Sequence, residues 1–255
     1  MNKKLIIFNW KMAPQSLGEA KRLLTYNLQL TTNNKNIEIV ICPPFVYLLE
    51  ASSVVGRRSL VKLGAQNVFW EEKGPYTGEI SVKMLKNFGV EYVLIGHSEC
   101  RKYLNETDEM INKKVLSVLK AGLKVVLCVG EDLSVRRRGK KAVENYIKKQ
   151  LEKDLKGVLN LKSKILNLII AYEPIWAINT GHSDTPRDAL EIIKFIKKIL
   201  VASGYALTPK VLYGGSVDSK NIAKFLEHSE IDGALVGHAS LKAGEIKKII
   251  QKYRY

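Results

Sequence analysis

Short apolar runs recur along the chain, and few of them alternate with polar residues. They are LIIFN from Leu5, IEIVIC from Ile37, LVKLGA from Leu60, YVLIG from Tyr92, KVVLCV from Lys124, NLIIAY from Asn167, KVLY from Lys210 and GALVG from Gly233, eight in all. Near-continuous apolar character predicts strands covered on both faces, as in parallel sheets. Segments of helical period lie between them. Ser16 and Glu19 form a capping-box pair ahead of a helix to residue 30, and Thr185, Pro186 and Asp188 supply the cap, first-turn proline and acidic first turn of a helix over 189–200. Further helical intervals fall at 46–55, 81–88, 107–121, 136–159, 218–227 and 241–253. Strand and helix therefore alternate throughout. The pattern predicts a closed (β/α)8 barrel formed by residues 1–255 as a single domain, with a doubly wound open sheet as the alternative.

A barrel of this kind places its reactive groups where strands run into the following loops. Those junctions hold Asn9 and Lys11, Gln66 and Asn67, then His97, Ser98 and Glu99, then Glu131, Glu173, the turn YGGS at 213–216, and Gly237 with His238. Polar groups thus converge on one rim. Glu173 follows an apolar strand, and Pro174 stiffens the next turn, so the carboxylate suits a general base. The plainer alternative is a solvated strand-end glutamate. His97 in IGHSE can donate to a substrate oxygen or serve as an internally satisfied structural histidine. Lys11 adds a cation to the same rim, although a strand-end lysine is usually a surface charge. Glycine-bearing turns after the seventh and eighth strands let backbone N–H groups approach a phosphate. The stretch PIWAINTG after Glu173 has an apolar tip, which suits either a closing lid or a loop packed permanently on the rim.

Composition narrows the classes of function. With 46% hydrophobic and 26% charged residues, the chain can bury a large core. No apolar run approaches the roughly 18 residues that a membrane span needs, and the first such run is too short for a signal peptide. We expect a cytoplasmic protein with no membrane partner. Cys42, Cys100 and Cys128 are isolated from one another and from histidines, so neither a disulfide framework nor a metal site is expected. Lys and Arg number 41 against 25 Asp and Glu, a net charge of +16. Most of the excess is spread over helical segments, and only RRRGKK at 136–141 is dense. Solvated helix faces account for it, and a nucleic-acid partner is not expected.

Seven motifs occur in one order: FNWKM, AQNVFWEEKGPYTGEIS, IGHSE, LCVGE, AYEPIWA, YGGSV and DGALVG. Together they resemble the triosephosphate isomerase family from the first strand to the last. The resemblance implies a cofactor-free, metal-free aldose–ketose isomerase acting on dihydroxyacetone phosphate and glyceraldehyde 3-phosphate. It implies Glu173 as base, with His97, Lys11 and Asn9 around the substrate oxygens; the glutamate base with a neutral imidazole is that family's own pattern. It implies phosphate binding by Asn179, Ser216, Gly237 and His238, and support of Lys11 by Glu99. Tyr213 and Ser216 would hold the closed lid, Glu131 would meet Trp176 in the open state, and Ser98 would hold Glu173 there. A homodimer through loop 67–79 is implied as well, with Thr77 near the partner's Lys11. Departures from the family pattern fall at Phe8, Asn179, His182, Ser183, Asp184, His238 and Cys100, the last where an arginine is usual.

Overall fold

In the computed structural model, which describes residues 3–31, 36–55, 60–178, 184–205 and 209–253, eight strands close into one parallel barrel. They are β1 (Lys4–Asn9), β2 (Ile37–Cys42), β3 (Val61–Ala65), β4 (Tyr92–Ile95), β5 (Lys124–Val129), β6 (Leu168–Tyr172), β7 (Lys210–Tyr213) and β8 (Gly233–Val236). Each pairs with its neighbours in sequence, and β8 returns to β1. All eight predicted strands are present, each displaced by no more than one residue at its start.

Beyond the partly exposed Lys4, Glu38, Lys62, Lys124 and Lys210 in their first two positions, the strands are almost wholly apolar because both faces are dry. Leu5, Ile7, Val40, Tyr92, Leu94, Val126, Ala171, Leu212 and Leu235 fill the barrel interior together with Cys42 and Cys128. The intervening residues, such as Ile6, Phe8, Ile39, Val93 and Ile170, pack outward against the helices. Closure demands a glycine at the seam. A methyl group at Gly233 would lie 1.9 Å from the Leu5 carbonyl oxygen. Any side chain there would push β8 off β1.

The helical shell comprises α1 (Leu17–Thr31), α2 (Leu48–Val54), α3 (Val82–Asn87), α4 (Ser98–Tyr103), α5 (Asp108–Lys120), α6 (Leu133–Arg136), α7 (Lys140–Asp154), α8 (Pro186–Ala202), α9 (Ile222–Leu226) and α10 (Ala243–Gln251). Caps written in the sequence operate. Ser16 Oγ accepts from Glu19 N–H at 3.2 Å, although the returning Glu19 carboxylate reaches Gln15 N–H, one residue outside the usual box. Thr185 Oγ1 accepts from Asp188 N–H at 3.1 Å with Pro186 in the first turn. Helix α8 then buries Ala189, Ile192, Ile193, Ile196 and Leu200, a single stripe of helical period.

Two intervals differ from expectation. The segment 136–159 is divided, because Gly139 at φ 91° stops α6 and Gly157 at φ 76° follows the end of α7. Helix α4 has six residues and was not predicted, since so short a helix shows little periodicity. Among the described residues, no helix is long and apolar enough to cross a membrane.

Phe225 stacks on Tyr213 with ring centroids 4.0 Å apart and joins β7 to α9. Phe225→Ala is expected to cost about 3–5 kcal/mol through the cavity it leaves. Denaturant unfolding measures this, and a loss below about 1 kcal/mol would show that the site collapses around the gap.

Candidate active site

The β1 end supplies Asn9 and Lys11. Lys11 has φ 53°, a costly conformation for a side chain other than glycine, and its N–H donates to Asn9 Oδ1 at 2.9 Å. Gln66 Nε2 holds the Lys11 carbonyl at 2.9 Å. The backbone turn therefore points the ammonium inward, where Nζ pairs with Glu99 Oε1. Gly237 makes room for the stem: a methyl there would lie 3.1 Å from Lys11 Cε.

The β4 end supplies His97 as the N-cap of α4. Its Nδ1 accepts from Glu99 N–H at 3.2 Å. A ring nitrogen that accepts a hydrogen bond carries no proton, so the ring proton sits on Nε2. That nitrogen lies 3.4 Å from Glu173 Oε1, while Glu173 Oε2 accepts from the backbone N–H of Ser98 at 3.2 Å. Glu173 is 1% exposed at the end of β6. An unbroken line of contacts runs Lys11, Glu99, His97, Glu173.

Lys11, His97 and Glu173 open into one cavity of about 780 Å³, lined also by Asn9, Gly215, Ser216, Gly237 and His238. Lys220 joins the lining, a residue the rim reading did not single out because it lies beyond the YGGS turn. Gly215 is required by packing, since a methyl there would meet the Tyr213 hydroxyl at 2.3 Å. Asn221 ties this turn together: Nδ2 donates to the Ser216 carbonyl and Oδ1 accepts from Asp218 N–H. Ser216 Oγ also donates to the Ala177 carbonyl at 2.5 Å. Among the described residues, no group makes a well-formed hydrogen bond with the buried Tyr213 hydroxyl. Asn179, His182 and Ser183 lie outside the described residues. Among the described residues, no cluster of His, Cys, Asp and Glu could hold a metal ion.

The family model described as triosephosphate isomerase matches residues 4–253. The chain belongs to the triosephosphate isomerase family. It is 48% identical to the triosephosphate isomerase of Caldanaerobacter subterraneus subsp. tengcongensis over 253 residues, covering 98% of this chain and 99% of that one. It is 45% identical to that of Dictyoglomus thermophilum, with 98% and 100% covered. The crystal structure of triosephosphate isomerase from Bartonella henselae superposes with a TM-score of 0.86 at 34% identity, covering 99% of this chain and all of the other.

Around this family core the chain has its own electrostatics. Trp176 Nε1 donates to the fully buried Glu131 at 3.0 Å, and the Tyr172 hydroxyl reaches the same carboxylate at 3.2 Å. Burial pushes the Glu131 carboxyl above its usual range. Arg136 lies over the Trp176 ring, with its guanidinium carbon 5.1 Å from the centroid, and pairs with Asp184 at 3.2 Å and Asp188 at 3.1 Å. In the sequence Arg136 stood out through its place after LCVGE, one of the motifs that carry the family resemblance, and in a basic run, but neither signal showed these contacts. Cys100 touches Asn67 Nδ2 at 3.8 Å. Nearby, Glu106 Oε1 pairs with Lys114, while among the described residues its buried Oε2 has no hydrogen-bond partner. Burial pushes the Cys100 thiol up to about 11.

Asp184 is 2% exposed, and burial raises its carboxyl to about 6. A folded-state value above the ordinary 3.8 means that its contribution is fullest below the unfolded range and is lost as pH climbs through about 6. Asp184→Asn keeps an acceptor and removes the charge. Relative to the parent chain, this variant is expected to gain about 1 kcal/mol of stability between pH 5 and 8. Thermal unfolding at the two pH values checks it, and a difference independent of pH would refute it.

Proposed function

We propose that the cavity binds a phosphorylated three-carbon sugar and interconverts its aldose and ketose forms, with Glu173, His97, Lys11 and Asn9 carrying the reaction. Glu173 takes a proton from the carbon beside the carbonyl. The electron pair of that C–H bond forms the carbon–carbon double bond of an enediolate, and negative charge moves onto the carbonyl oxygen. His97 donates from Nε2 to that oxygen, and Lys11 places its ammonium on the same side. Preorganised donors of this kind are each typically worth about 2.7–4 kcal/mol. His97 then shuttles a proton between the two oxygens, and Glu173 returns its proton to the adjacent carbon. No net redox change occurs.

The observation that carries this reading is the hydrogen bond that His97 Nδ1 accepts from Glu99 N–H. With Nδ1 so occupied, the ring offers a donor, at Nε2, beside Glu173. Backbone N–H groups of Ser216, Gly237 and His238, with Asn179 from the preceding loop, bind the phosphate. Tyr213, whose hydroxyl is buried, and Ser216 take up the lid when it closes. Glu99 holds Lys11, and Ser98 holds Glu173 through its backbone N–H. The expected outcome for Glu173→Gln in a coupled assay with glyceraldehyde 3-phosphate is a fall in kcat of about a hundred- to ten-thousandfold. A parent chain without isomerase activity, or a variant that retains full activity, would sink the assignment.

The reading extends to assembly, with residues 1–255 forming one domain that pairs with a second copy. Phe69 stacks on Trp70 at 4.1 Å and meets Tyr76 at a tilt at 4.6 Å, which supports loop 67–79 as an internally packed element. Met12, Val46, Leu49, Tyr76 and Met84 are exposed apolar side chains that a second copy would cover. Thr77 is exposed on the same loop and would approach the partner's Lys11. Phosphorylated trioses are charged and do not cross a lipid bilayer unaided, so this chemistry belongs in the cytoplasm. Sedimentation is expected to give roughly twice the 28.7 kDa chain mass, with Thr77→Arg shifting the protein to monomer. A monomeric parent chain would reject the loop assignment.

A further inference from the structure

Helix α7 turns Val143, Ile147, Gln150, Leu151 and Asp154 toward the interior. Polar residues on a buried helix face are costly unless each finds a partner. Gln150 and Asp154, one helical turn apart, both find theirs, the first at the backbone just after β5 and the second at Arg101 of α4. Gln150 Oε1 accepts from Gly130 N–H at 3.0 Å. Asp154 Oδ2 accepts from Arg101 Nη2 at 2.5 Å, and the aspartate is wholly buried.

The same guanidinium grips two strand ends. Arg101 Nε donates to the carbonyl of Gly96, the residue before His97, at 2.9 Å. Its Nη2 also reaches the carbonyl of Cys128 at 3.3 Å, at the end of β5. Gly96 has φ 71°, and a methyl there would come within 3.0 Å of Arg101 Nη2, so the guanidinium packs directly on the turn. Gly130 is equally confined, since a methyl there would lie 1.7 Å from the Glu173 carbonyl oxygen. One polar residue of α7 therefore braces the His97 turn, and the other braces the backbone beside Glu173.

We infer that Asp154, acting through Arg101, is a positioning residue that fixes the direction of the His97 Nε2–H toward the reacting oxygens. This rests on the roles proposed above for His97 and Glu173. Arg101 has a second carboxylate, Asp108 at 2.8 Å, but that group faces outward and is shared with Lys153 at 3.1 Å. Solvent screens it. Without Asp154 the guanidinium keeps only the outward partner, and its hold on the Gly96 and Cys128 carbonyls weakens. Small displacements of groups that act on a reacting atom are expensive, about a hundredfold in rate for 1 Å.

Asp154→Asn tests this with two readouts: steady-state kinetics, and long-range 1H–15N imidazole spectra in which His97 is assigned from its absence in His97→Gln. We expect a shifted His97 signal, unmoved signals for His228 and His238, and a kcat lower by about tenfold with KM within twofold. An unmoved His97 signal, an unchanged kcat, or a loss carried by KM overturns the inference, including the case in which only thermal stability falls. Should Asp154→Asn not fold, Asp154→Ser is judged by the same criteria. If the parent chain proves inactive, the failure lies with the proposed reaction, and the His97 signal alone decides the placement.

Discussion

Closure of the barrel is the constraint from which the rest follows. Eight parallel strands whose two faces are both dry can expose polar groups only at their ends, and parallel pairing turns every C-terminal end to the same rim. The seam between β8 and β1 closes because residue 233 is glycine and the Leu5 carbonyl occupies the space of a side chain. Asn9, His97 and Glu173 come from β1, β4 and β6, far apart in sequence, and meet because their strands meet.

At that rim the charges form a connected series. The Lys11 ammonium is held by Glu99, whose own N–H fixes the His97 tautomer, and the ring presents its proton toward Glu173. Each group limits the freedom of the next. Such preorganisation is what a site needs when negative charge must appear on a substrate oxygen without reorganisation.

Outside the rim, ion pairs decide how the loops are carried. Arg136 contacts Trp176 on one side of the 178–184 stretch and Asp184 on the other. A single guanidinium thus touches both flanks. Buried Glu106 and Lys114 form a similar set with the half-buried Asn67, at the start of the loop that carries Phe69 and Trp70.

The alternation of elements, the rim residues and the family were legible in the sequence, because dry-faced strands, caps such as Thr185 and motifs such as IGHSE and AYEPIWA are local patterns. Local pattern did not show the six-residue helix that His97 caps, the division of 136–159 by Gly139, or the buried carboxylates of Asp154 and Asp184. Those depend on which side chain faces which across the closed barrel. An aspartate on a helix reads as a surface charge until packing buries it against an arginine 53 residues away. The sequence by itself determined the strands, their dry faces and the kinds of chemical group at the rim. Only the tertiary structure decided which nitrogen of His97 carries the proton, and which partners hold Lys11 and Arg101. Those properties belong to contacts between distant segments, and no segment encodes them alone.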